Sequence, residues 1–296
     1  MKKYLFILIL FVSCVESNNK SDAYGNFETD ETVISAEMTG KIINLSFRQG
    51  DNINEGDLVA IVDTTYIYLQ IKELEAQLQS IVTKKINVHS QADVIREQIS
   101  NTKIEQARIV RMFSDKAATE QQLDNVNGQV RVLEKQLNSM NTQFLSIDKE
   151  IEVLYARMAV LKESLGKCYV KSPIDGIVLE KYVELGELVS PAKAIVKIAD
   201  ISNMNLRVYV SGHQLPSVKL GQQVEVLIDK DTKNNQVLKG YVSWISSSSE
   251  FTPKIIQTKE ERVKLVYAVK ISVKNDGRLK IGMPAEVNFS TETKNL

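Results

Sequence analysis

Between Tyr66 and Gly166 the apolar residues recur in strict steps of four and three. On a first arm the series runs Ile67, Ile71, Leu74, Leu78, Ile81, Lys85, Val88, Ala92, Ile95, Ile99, Thr102, Gln106, Ile109 and Phe113, and eleven of these fourteen are apolar. On a second arm Leu123, Val126, Val130, Leu133, Leu137, Met140, Phe144, Ile147, Ile151, Leu154, Met158, Leu161 and Leu165 form an unbroken apolar series. A 3.5-residue repeat held over many turns is the pattern of a left-handed coiled-coil seam. No proline falls between Tyr66 and Gly166, so nothing forces a break. The pattern predicts two antiparallel helices over 66–166, each roughly 70 Å long at 1.5 Å per residue. Ser114 to Ala118 form the turn, and Thr119 is placed to cap the second helix. Lys85, Thr102 and Gln106 interrupt the first-arm seam, where polar residues set register at a cost in stability.

On either side of this hairpin the period drops from 3.5 to 2, and two stretches repeat one another. The first carries Met38-Thr39-Gly40-Lys41-Ile42-Ile43, then Gly50, then Leu58-Val59-Ala60-Ile61-Val62-Asp63. The second carries Ile174-Asp175-Gly176-Ile177-Val178-Leu179, then Gly186, then Ile195-Val196-Lys197-Ile198-Ala199-Asp200. In both, ten residues separate the two glycines. Short alternating strands punctuated in this way read as β-hairpins, and neither half has the apolar surface to fold alone. They pair into one flattened barrel, with halves at 31–65 and 167–203.

Residues 204–296 continue in strand signals at 206–210, 223–228, 240–245, 264–271 and 285–289. Five or six such strands with glycine-bearing turns predict a small antiparallel β-barrel. Residues 212–218 have room for one short helical turn. Ser246 to Arg262 read as a polar loop between strands, and Trp244 as a core residue.

The 296 residues balance 37 basic against 37 acidic side chains, which leaves no electrostatic case for nucleic acid. Two cysteines do not make a disulfide framework. His89 and His213 lie far apart without ligand partners. There is no Ser/His/Asp set, no metal-spaced His/Cys cluster and no phosphate loop, so the expectation is a non-enzyme without cofactor or metal. Lys2 and Lys3 precede the apolar run Tyr4–Val12, which is too short to span a bilayer. Residues 1–13 therefore read as a signal peptide. Leu10-Phe11-Val12-Ser13-Cys14 resembles a bacterial lipobox, making Cys14 the expected lipid attachment site. The polar residues 14–30 follow as a flexible tether.

The flanking repeat resembles the biotinyl/lipoyl type of fold. A carrier of that type presents a modified lysine on the tight turn between its halves, but here the hairpin occupies that junction. Lys41 and Lys171 sit elsewhere, so the repeat is scaffold. The full order, together with Ser172-Pro173-Ile174-Asp175-Gly176 and Lys280-Ile281-Gly282-Met283-Pro284-Ala285, resembles periplasmic adaptor subunits of the HlyD-type membrane fusion protein family. Phe251-Thr252-Pro253-Lys254 with Gln257-Thr258-Lys259-Glu260-Glu261-Arg262 is similar to the branch serving ABC-type exporters. The fold implied is α+β: a long coiled-coil hairpin inserted between two halves of a lipoyl-like barrel-sandwich hybrid, followed by a β-barrel.

The resemblance implies a bridge in the envelope of a Gram-negative bacterium. It would be held at the inner membrane by lipid on Cys14 and assembled as a ring of six copies, between a transporter and a TolC-like outer-membrane channel. Adaptors that dock on such channels carry an arginine, a leucine four on, a serine seven further, and an acid five beyond that. Arg108, Met112, Thr119 and Asp124 occupy those positions. Methionine keeps the apolar bulk and threonine the hydroxyl. Gln121, Gln122, Asn125, Asn127 and Gln129 would add polar contacts. The other reading of the chain is a coiled-coil envelope lipoprotein serving as a spacer without a transporter, which would need no barrel halves.

Overall fold

The structure, a computed structural model, describes residues 21–231, 234–251 and 265–289. The predicted signal peptide and Cys14 lie outside these residues, as does most of the Phe251–Arg262 motif. The chain divides into two compact units.

One unit holds the barrel. Its strands are β1 (Ala23–Glu28), β10 (Asn203–Ser211), β11 (Gln223–Asp229), β12 (Asn235–Ile245), β13 (Glu250–Phe251), β14 (Leu265–Lys274) and β15 (Pro284–Asn288). They pair in the order β10-β1-β15-β11-β12-β14, and β10 pairs with β14 to close six strands into a barrel, with β13 added beside β14. Alternation places Met204, Leu206, Val208 and Val210 of β10 inside, facing Val224 and Val226 of β11 and Ile271 of β14. Residues 215–217 form the short helical turn.

Three sequence expectations change here. Residues 23–28, assigned to the tether, are instead the sixth barrel strand, so the barrel is completed from the N-terminal side of the chain. Only Ala23 and Phe27 of that strand point inward, and Gly25 stands between them because the Arg207 carbonyl occupies the space a Cβ would need. Two inward residues make a faint signal. Trp244 is not core but 42% exposed. A bulge between Val242 and Trp244 shifts the pairing, so Val242 opposes Ile271 while Trp244 opposes Lys270 and meets its ammonium 6.0 Å from the ring centre. The 246–262 stretch is not all loop, because Glu250 and Phe251 pair with Val266 and Leu265. Arg207 fastens Glu250 through two hydrogen bonds of 2.9 and 3.0 Å.

The other unit holds the interrupted barrel sandwich. Its strands are β2 (Glu31–Ser35), β3 (Gly40–Leu45), β4 (Asn52–Ile53), β5 (Leu58–Val62), β6 (Tyr169–Lys171), β7 (Gly176–Lys181), β8 (Leu188–Val189) and β9 (Ala194–Ala199). They form two four-stranded sheets, β2-β9-β7-β4 and β6-β5-β3-β8. The repeat is visible as a reciprocal interlock. Gly50 N–H donates to the Val178 carbonyl (2.9 Å), and Gly186 N–H donates to its counterpart Ile42 (2.8 Å). Both glycines sit at φ +89°, the left-handed region that disfavours side chains. Each half supplies a turn to the other, so neither is complete alone.

Between the halves stand α1 (Thr65–Ser114) and α2 (Glu120–Lys167). At 1.5 Å per residue they extend about 75 and 72 Å. Asp63 starts α1, accepting a 2.9 Å bond from Thr65 N–H; that bonding to Thr65 holds its carboxyl below the usual carboxylate range. The buried residues are Ile67, Ile71, Val88, Ala92 and Ile99 on α1 and Val126, Val130, Ile147, Leu154 and Met158 on α2. All ten belong to the predicted seam. Two of the polar interruptions bridge the arms. Lys85 pairs with Asp148 at 2.6 Å, its ammonium 4.6 Å from the Phe144 ring centre, and Gln106 donates to Asn127 at 2.8 Å. Thr102 turns back onto the Gln98 carbonyl (2.8 Å).

Candidate functional site: the hairpin tip

The tip is built from two complementary caps. At the end of α1, Ala117 N–H bonds the Met112 carbonyl (2.7 Å) and Lys116 N–H bonds the Phe113 carbonyl (3.0 Å). This Schellman arrangement places Lys116 at φ +58°, a left-handed position where glycine is the usual residue. At the start of α2, the Thr119 hydroxyl accepts from Gln122 N–H (3.2 Å) while the Gln122 side chain accepts from Thr119 N–H (2.8 Å). That is a complete capping box. It turns the chain within five residues and leaves no loose loop.

The four predicted docking residues fall on both sides of this turn. Arg108 and Met112 lie four residues apart, on neighbouring turns of one α1 face. The Arg108 side chain is 63% exposed and its ion pair is with Glu105 on its own helix. Met112 is 39% exposed in the last turn. Thr119 is the α2 cap, and Asp124 is exposed one turn further on. The Thr119 hydroxyl already has a structural duty. So do two of the amides expected to be free for contacts, Gln122 in the cap and Asn127 across the seam. Gln121, Asn125 and Gln129 remain exposed.

Phe113, placed in the seam by periodicity, is 41% exposed, because α2 begins only at Glu120 and offers no apolar side chain at that height. Met112 beside it and Val110, which is 47% exposed and lies outside the predicted seam, add to the apolar crest at the end of α1, of which periodicity assigned only Phe113 to the interior. The Gln122 cap partner was legible as the Thr-x-x-Gln spacing. Among the described residues no cluster of His, Cys, Asp and Glu could hold a metal ion. Among them, too, no helix is long and apolar enough to cross a membrane.

The family model for the CzcB-like barrel-sandwich hybrid domain matches residues 30–200, more than half of the chain. The chain belongs to that family. A UPF0194 membrane protein from Acidithiobacillus ferridurans is 23% identical over 291 residues, covering 90% of this chain and 86% of its own. Among solved structures, MacA from Actinobacillus actinomycetemcomitans superposes with a TM-score of 0.64 at 23% identity, covering 90% of this chain and 76% of that one. The membrane fusion protein Spr0693 from Streptococcus pneumoniae gives 0.56 at 15% identity, covering 91% and 98%. This CzcB-like chain therefore shares with those proteins a barrel sandwich split by a helical hairpin and accompanied by a β-barrel. The adaptor resemblance read from the sequence stands.

Proposed function

We propose that this protein is a non-catalytic periplasmic adaptor that links an inner-membrane transporter, of ABC type, to a TolC-like outer-membrane channel. Lipid on Cys14 holds the base at the inner membrane, six copies form a ring, and the hairpins carry substrate across the gap to the channel. The fold shared with MacA and with the membrane fusion protein Spr0693 supports the link between a transporter and a channel; the transporter class, the channel and the copy number are the finer parts of the reading.

The observation that carries it is the tip. A hairpin about 75 Å long ends in a rigid two-cap turn that presents Arg108 and the Met112 and Phe113 crest to solvent. None of these three has a packing duty that would account for it, and a plain spacer would need neither them nor the interlocked barrel halves beneath. The test is Arg108→Asp. Because, among the described residues, this arginine's ion pair is with Glu105 on its own helix, the variant should fold, melt and accumulate like the parent while export by the co-purifying transporter is lost. Undiminished export in that variant would overturn the tip assignment.

A further inference from the structure

The hairpin carries a second heptad pattern outside its seam. Residues midway between successive seam positions point away from the partner arm. On α1 these include Ser90, Glu97 and Ile104; on α2 they include Gly128, Lys135 and Thr142, in the same seven-residue steps. Five of the six are exposed and Gly128 is half-buried. The two ridges lie on opposite edges of the hairpin and cannot meet within one chain.

Their heights match. Lys85 pairs with Asp148 and Gln106 with Asn127, and in both pairs the residue numbers sum to 233. By that register Ser90 stands level with residue 143, Glu97 with residue 136 and Ile104 with residue 129. Each falls one residue from Thr142, Lys135 or Gly128. Serine is thus level with threonine, glutamate with lysine, and an isoleucine that is 67% exposed with a glycine. Among the described residues neither Glu97 nor Lys135 has an ion pair within its own chain.

Gly128 is the second observation. Glycine inside a helix is destabilising relative to alanine, and a Cβ there would meet only the tip of the flexible Arg131 side chain, at 3.8 Å. Among the described residues nothing requires the notch. Val132, one turn along and 58% exposed, forms its wall.

We infer that the partner of these ridges is a second copy of this chain: the α1 ridge of one hairpin packs on the α2 ridge of the next, at equal height. Glu97 pairs with Lys135 across the contact, and Ile104 seats over Gly128 beside Val132. The inference rests on the oligomeric-adaptor reading and adds to it the contact residues and their register.

Paired cysteines in the membrane-bound, full-length protein test it, with the parent as baseline. Glu97→Cys with Lys135→Cys should give an oxidation-dependent ladder of oligomers. Glu97→Cys with Thr142→Cys is displaced by one heptad, about 10 Å along the axis and beyond disulfide reach, so its yield should fall about tenfold. Gly128→Leu should suppress the ladder from Ser90→Cys with Thr142→Cys while helix content stays at the parent level. Equal yield from the displaced pair, or an unaffected Gly128→Leu ladder, would overturn the ridge pairing. If the matched pair gave no ladder while an amine cross-linker still trapped oligomers, the ridge pairing would fall and the adaptor reading would stand. Failure of every route to an oligomer would overturn both.

Discussion

Strand β10 alone buries Met204, Leu206, Val208 and Val210 with no surface left exposed, whereas all fifty residues of α1 bury only five side chains. The barrel surrounds each inward residue with neighbours from several strands. A hairpin seam residue is covered by the opposite arm alone, and everything beyond the seam faces water or a partner. The same composition of valines, isoleucines and leucines thus serves two purposes. In the barrel it makes a dense core. Along the hairpin it makes a thin line of adhesion that spans distance with few buried residues and leaves most of each helix free for other surfaces.

Three substitutions would break or sharpen that contrast. The largest effect belongs to Leu206→Ala, which should cost about 3–4 kcal/mol by chemical denaturation, because close-packed walls cannot collapse onto the cavity. Ile147→Ala, at the best-buried seam position (1% exposed), should cost about 2–3 kcal/mol. It should act locally: hydrogen exchange should quicken along the arms while barrel protection is unchanged. Loss of barrel protection in that variant would mean the two regions share one cooperative unit, and the contrast would be wrong. The smallest effect is a gain. Lys116→Gly should relieve the left-handed strain at the tip and raise hairpin stability by up to about 1 kcal/mol, read as slower exchange in the last turn of α1.

The parts of the fold legible in the sequence were those with long or doubled patterns. The seam was readable because thirteen successive apolar positions on α2 cannot be accidental, and every one of them is at least half-buried. The split barrel was readable because Gly40 and Gly50 are echoed by Gly176 and Gly186, and one half can be checked against the other. What escaped was short or irregular. β1 puts only Ala23 and Phe27 inside, and a one-residue bulge before Trp244 reverses the alternation that would have buried it. Phe113 obeys the heptad but outruns the partner helix, so periodicity placed it inside and the tip geometry places it outside. Arg108, Met112, Thr119 and Asp124 came from a resemblance, since solvent-facing residues leave no periodic trace.

If the hairpin is a bridge, its length is the functional quantity. Residues 78–84 and 149–155 stand level across the seam by the register of Lys85 with Asp148, so removing both segments shortens each arm by one heptad, about 10 Å, with the seam phase intact. The measurement is export from cells carrying this paired deletion, and a second deletion of the next heptad pair, alongside the melting of each purified protein. The account predicts melting close to the parent and export falling steeply with each heptad removed. Full export after the loss of two heptads per arm would contradict it.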